Sequence, residues 1–213
     1  MSADAVPNAG WMLILGVYHG VNPAMGWLFA VALGLQARSG SAVARALGPL
    51  ALGHAVAVGV VVLLAALIGE VLPAAAVRTV VGAVLVGAGV YRFVRPRHPR
   101  WVRMQVGARD LALWSFLVAS AHGAGLMVVP FLLASPAASA ATATHQHAGP
   151  AHGFAGALAA TGLHTAGYLA ATGLVAWIVY RWFGLSLLRR AWFNVDLVWA
   201  GALVFTGVVT LFA

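Results

Sequence analysis

Apolar residues fall along this chain in blocks long enough to cross a ~30 Å hydrocarbon core as helices. Six such blocks stand out, at Trp11–Gln36, Ala46–Gly69, Ala75–Phe93, Asp110–Ser135, Gly153–Tyr180 and Ala191–Phe212. None has the ~10-residue alternation of an outer-membrane strand. The pattern predicts an all-α integral membrane protein of about six transmembrane helices. Most links between blocks are short. Residues 95–109 form a basic, proline-broken linker, and residues 137–152 form a small-residue, histidine-containing loop.

The blocks divide evenly into residues 1–94 and residues 110–213, three spans on each side of the linker. An odd number of spans per half turns the second half upside down relative to the first, the plan of an inverted repeat. Polar residues recur in register with it. His19-Gly20 in the first span answers His122-Gly123 in the fourth, and His54 in the second answers His164 in the fifth. The third and sixth spans carry no histidine.

Charge orients the bundle. Arg38 and Arg45, then Arg92, Arg95, Arg97, Arg100, Arg103 and Arg109, then Arg181, Arg189 and Arg190 all fall on one side if the spans alternate. Only Arg78 falls opposite. Basic loops stay in the cytoplasm, so both termini and the loop 137–152 are expected outside it. Met1 to Gly10 lacks the positive n-region of a cleavable signal peptide.

Composition agrees with the blocks. The chain is 62% hydrophobic and 8% charged, where a soluble domain carries about 25% charged residues. The formal charge of +8 comes from arginine alone. Its place at span ends points to topology and lipid headgroups, not to nucleic acid. No cysteine is present, which removes thiolate metal sites and dithiol relays. No phosphate loop, nucleophile elbow or acidic ring for hard cations occurs, so no enzyme is expected.

Polar side chains at membrane depth are costly to bury and default to a functional role. His19, His54, His122 and His164 are the main constellation. Imidazole ligates transition metals and carries protons near neutral pH. The bland reading is that each histidine hydrogen-bonds between helices and holds the bundle. Asn22-Pro23 frees backbone carbonyls in the first span, which are tolerated only where re-satisfied or lining a cavity. Pro130 is the candidate for a corresponding break in the fourth span. Met25 and Met127 add thioethers suited to soft ions, although methionine is a common core filler. His145, His147 and His152 in the loop 137–152 could gather metal outside the membrane. Asp196, one turn into the sixth span, is either an arginine and dipole partner or a proton-coupling carboxylate. Glycines at 16, 20, 82, 87, 123, 162, 167 and 173 read as close helix packing.

The segments Leu15-Gly16-Val17-Tyr18-His19-Gly20-Val21-Asn22-Pro23 and Ala51-Leu52-Gly53-His54-Ala55-Val56-Ala57-Val58 resemble the nickel/cobalt transporter branch of the LysE-like membrane superfamily. That branch includes nickel/cobalt efflux, UreH-like and sulfite-exporter-like proteins. The resemblance spans about forty residues. It implies a helical bundle moving small ions or solutes, metals among them, across the bacterial inner membrane. His19 and His54 match the branch's first- and second-helix histidines. Asn22 stands where the branch usually has an acid, and Met25 near its second first-helix histidine. Those departures open the substrate to softer or monovalent ions and to non-metal solutes.

These readings converge on a secondary transporter of a small substrate held between the repeats by His19, Asn22, His54, His122 and His164. A transition-metal ion (Ni, Co, Cu or Zn) is the leading cargo, with Met25 and Met127 as secondary ligands. A membrane haem protein and a non-transporting accessory or assembly subunit are the alternatives. The partners expected are the lipid bilayer and a small ion or solute, with no nucleic acid.

Overall fold

A computed structural model describes residues 5–69, 73–94, 107–133, 150–183 and 195–212. Among the described residues there is no strand. The helices are α1 (Ala5–Val21), α2 (Trp27–Gln36), α3 (Gly40–Gly69), α4 (Ala74–Val94), α5 (Ala108–Ala121), α6 (Ala124–Leu133), α7 (Pro150–Ile178) and α8 (Val195–Phe212). A 3-10 turn at Pro23–Met25 joins α1 to α2, and a π turn at Val179–Phe183 extends α7.

Two helical segments, Gly40–Ala65 and Ala155–Phe183, are long and apolar enough to cross a membrane. A third arises if α5 and α6, bent by 49° at their junction, count as one span. The remaining apolar helices are shorter. The first block is two helices because of its proline. Large apolar side chains face outward as well as inward, and several polar ones are buried. Leu52, Leu64, Leu174 and Phe205 are each more than half exposed, whereas His19, Asn22, His54, His122, His164, Ser115, Thr172 and Thr210 are buried. A water-soluble fold hides its large apolar groups and leaves few contiguous patches of them outside. An apolar surface with polar groups inside is consistent with a membrane protein.

Each main packing pair takes one helix from either half: α1 on α7, α3 on α5, and α4 on α8. Glycine sets the first of these. A Cβ at Gly16 would overlap the His164 carbonyl, one at Gly20 the Tyr168 carbonyl, and one at Gly167 the Leu13 carbonyl. The two backbones therefore touch, as small residues permit in apolar surroundings. Gly53 does the same for α3 against Ala112 of α5, and Gly82 and Gly207 for α4 against α8. Gly87 and Gly162 face open space instead, so the packing role expected for them is not realised.

The expected break at Pro130 is also corrected. Pro130 lies inside α6, and the chain bends at Gly123, whose φ is 69°. The left-handed conformation interrupts the ladder, whereas Pro130, the seventh residue of α6, forgoes its own i→i−4 bond without ending the helix. His152, expected in the loop, lies within α7, which begins at Pro150. His145 and His147 fall outside the described residues. Asp196 is the second residue of α8, and its side chain is likewise outside them.

Candidate functional site

The break after α1 begins with the missing N–H of Pro23. In an unbroken helix that group would serve the His19 carbonyl. Here Asn22 N–H takes over, at 3.1 Å. The Asn22 side-chain oxygen accepts from Ala24 N–H at 3.0 Å, which draws that donor away from the Gly20 carbonyl. Met25 N–H turns to the Asn22 carbonyl at 3.0 Å, releasing the Val21 carbonyl. Gly26 (φ 118°) reverses the chain, and Phe29 N–H goes to Gly26, leaving the Met25 carbonyl.

Side chains answer each released carbonyl. Thr172 donates to Gly20 at 3.2 Å, Trp27 Nε1 to Val21 at 2.9 Å, and Tyr168 to Met25 at 2.6 Å. Buried carbonyls without such partners would each cost about 1–3 kcal/mol. Two of the three donors come from α7, so the same close packing that Gly16 and Gly20 allow also repairs the break. Tyr168→Phe keeps the ring and removes this bond. It is expected to cost about 1–3 kcal/mol, read as a lower melting temperature in detergent, with Thr172→Val costing less because its bond is longer.

The histidines lie against this break. His19 on α1, His54 on α3 and His164 on α7 are fully buried. Their ring centroids are 5.7 Å (His19–His54), 4.9 Å (His19–His164) and 5.3 Å (His54–His164) apart. Three helices thus deliver three imidazoles to one small volume. His54 and His164 are nearly parallel, at 12°, and Tyr168 stacks on His54 with ring centroids 3.9 Å apart.

Hydrogen bonds orient some of these rings and not others. His19 Nδ1 lies 2.8 Å from the Leu15 carbonyl. A carbonyl only accepts, so Nδ1 carries the proton and Nε2 of the neutral ring carries the lone pair. His122 repeats this arrangement, with Nδ1 2.8 Å from the Val118 carbonyl, and it lies within electrostatic reach of His19. Both histidines end a helix just before a break. His54 differs: neither ring nitrogen has a hydrogen-bond partner. His164 has one such neighbour, the Met12 carbonyl of α1, in a contact too loose to count as a full hydrogen bond. Buried polar atoms are rarely left so. The amide nitrogen of Asn22, whose oxygen is committed to Ala24, is also unpartnered, as is the Thr165 hydroxyl.

The spacing of the triangle has a chemical reading. Imidazoles at ~2.0–2.1 Å from one ion hold their centroids about 5 Å apart. As they stand, no three His, Asp or Glu side chains among the described residues form a metal-ligand group. Ligation needs the rings to turn, and histidine χ2 is a soft, broad torsion. Met25 and Met127 are buried in one apolar cluster with Tyr168, beside the triangle and not in it. A surface cavity of about 280 Å³, lined by Gln36, Arg45 and Pro49 among others, includes none of the histidines.

The chain matches no protein-family model, no curated protein and no solved structure. The site therefore rests on its own geometry. Tyr168, Thr172 and Ser115, which donates to the Leu50 carbonyl at 2.7 Å, are site-shaping residues that the chain pattern did not single out. The one available signal for Tyr168 was its place four residues after His164, on the same helix face.

Proposed function

We propose that this chain is a secondary transporter of a small substrate, a transition-metal ion, held by His19, His54 and His164 with His122 and Asn22 beside them. The observation that carries the reading is the triangle itself. Three imidazoles from three helices meet in a buried volume, and neither ring nitrogen of His54 has a hydrogen-bond partner there. Histidines acting as interhelical glue would be expected to hydrogen-bond across helices.

The surrounding architecture supports transport. Each main helix pair joins the two halves, as two inverted three-helix repeats would. Broken helices at the level of a site are a recurring transporter device, and this chain breaks after His19 and again at His122-Gly123. The arginine distribution supports cytoplasmic loops on one side and both termini on the other. With the motif resemblance it supports the bacterial inner membrane. Alternating access would come from rocking one repeat against the other, loosening the triangle because its members belong to both halves.

The test is metal content and flux with the same protein. Purified in detergent, it is expected to hold about one equivalent of a transition metal per chain, and in proteoliposomes to move that metal faster than empty vesicles do. A Soret band would replace this reading with the haem one. Absence of both metal and flux would assign the chain an accessory role or a non-metal solute.

A further inference from the structure

Among the described side chains, no acid is buried with the histidine triangle. The whole sequence has four, Asp4, Glu70, Asp110 and Asp196. Asp4 precedes α1, Glu70 follows the last residue of α3, Asp110 is in the first turn of α5, and Asp196 is the second residue of α8. Asp110 is exposed and accepts from Gly107 N–H at 3.0 Å. His54, by contrast, sits at the middle of α3, about 20 Å from either end at ~1.5 Å per residue. The described groups in ring contact at the triangle carry no fixed charge: three imidazoles and the Tyr168 phenol.

Among the described residues no acid is buried, so an ion brought here finds no countercharge from them. The cost of taking an ion out of water rises with the square of its charge, so a dication pays four times what a monocation of equal size pays. Ligand number points the same way. Structural Zn²⁺ takes four ligands, and no group of even three is assembled among the described residues. Monovalent d¹⁰ ions accept two or three ligands, and imidazole is among those that suit copper. Met25 and Met127 share one buried apolar cluster with Tyr168, whose ring stacks on His54.

We infer that the cargo of this site is a soft monovalent cation of the Cu(I) or Ag(I) type, not a divalent metal. This rests on the transition-metal reading above and narrows it. No redox step is involved: the ion enters and leaves as the monocation.

The probes are Ag⁺, and Cu(I) kept reduced by ascorbate without oxygen, against Ni²⁺, Co²⁺ and Zn²⁺. The protein is the full chain carrying His145→Ala, His147→Ala and His152→Ala, so that the loop adds no sites. Competition dialysis is expected to give one equivalent of Ag⁺ or Cu(I), bound at least ~100-fold more tightly than any divalent ion. Asn22→Asp keeps the oxygen that holds Ala24 and adds a negative charge three residues from His19. It is expected to narrow that gap at least ~10-fold. A divalent ion bound as tightly as Ag⁺ would overturn the inference and leave the transition-metal reading standing. Binding of no ion at all would overturn both. Ag⁺ binding that survives His54→Leu with His164→Leu would also overturn the inference, by removing the triangle from it.

Discussion

Ion binding and flux fall to background when His54 and His164 are both replaced by leucine, while the melting temperature of the bundle holds or rises. The two halves of that expectation have separate causes. Both ring nitrogens of His54 are buried without a hydrogen-bond partner, and His164 has only a loose contact with the Met12 carbonyl; each unsatisfied polar group costs about 1–3 kcal/mol. Apolar side chains of similar volume remove that cost. What is lost is the stacking of His54 on Tyr168 at 3.9 Å, worth about 0.5–1.5 kcal/mol. The balance is neutral to stabilising, as expected where a site is kept at the expense of stability. If these histidines instead held helices together, the double variant would melt several degrees lower and lose flux only in proportion to folded protein. Thermal unfolding and proteoliposome flux on one preparation separate the two.

The second large effect is steric. Gly16→Leu or Gly20→Leu should abolish assembly of the folded bundle. At both positions even a single methyl meets α7 backbone, at His164 and Tyr168 respectively. Overpacking typically costs about 1–3 kcal/mol, and more when backbone must move. Separating α1 from α7 would also pull Thr172 from Gly20 and Tyr168 from Met25, reopening carbonyls at the Pro23 break, and would part His19 from His164. Gly48→Ala, Gly87→Ala and Gly162→Ala are the controls. Nothing lies within 4 Å of a Cβ at these positions, and alanine is the better helix former by about 1 kcal/mol. Monodisperse elution and melting temperature should be unchanged or improved for these three and lost for the first two. Equal behaviour of the two sets would refute the backbone-contact packing of α1 on α7.

The break at Asn22-Pro23 was readable because proline lacks an N–H wherever it sits, and Asn22 offers the side-chain oxygen that starts a new turn. The break at Gly123 was not. A glycine in an apolar block reads equally as a packing contact or as a left-handed turn, and only the surrounding backbone chooses. Pro130 looked the stronger breaker, yet it lies within a helix. Glycines showed the same ambiguity: Gly16 and Gly162 sit in similar sequence surroundings, and one touches backbone while the other faces open space.

By itself, the chain's pattern determined an all-helical molecule, the apolar character of its helices, and which scarce polar residues were left to do chemistry. Those follow from composition and period, which every residue carries locally. Tertiary structure decided the rest. It packed α1 on α7 and α3 on α5, brought His19, His54 and His164 within ring contact, put Tyr168 over them, and supplied Thr172 and Tyr168 to carbonyls far away in sequence. Such contacts depend on which helix faces meet. In a chain apolar on nearly every face, hydrophobic periodicity cannot choose that face, and close backbone approach at a few glycines does.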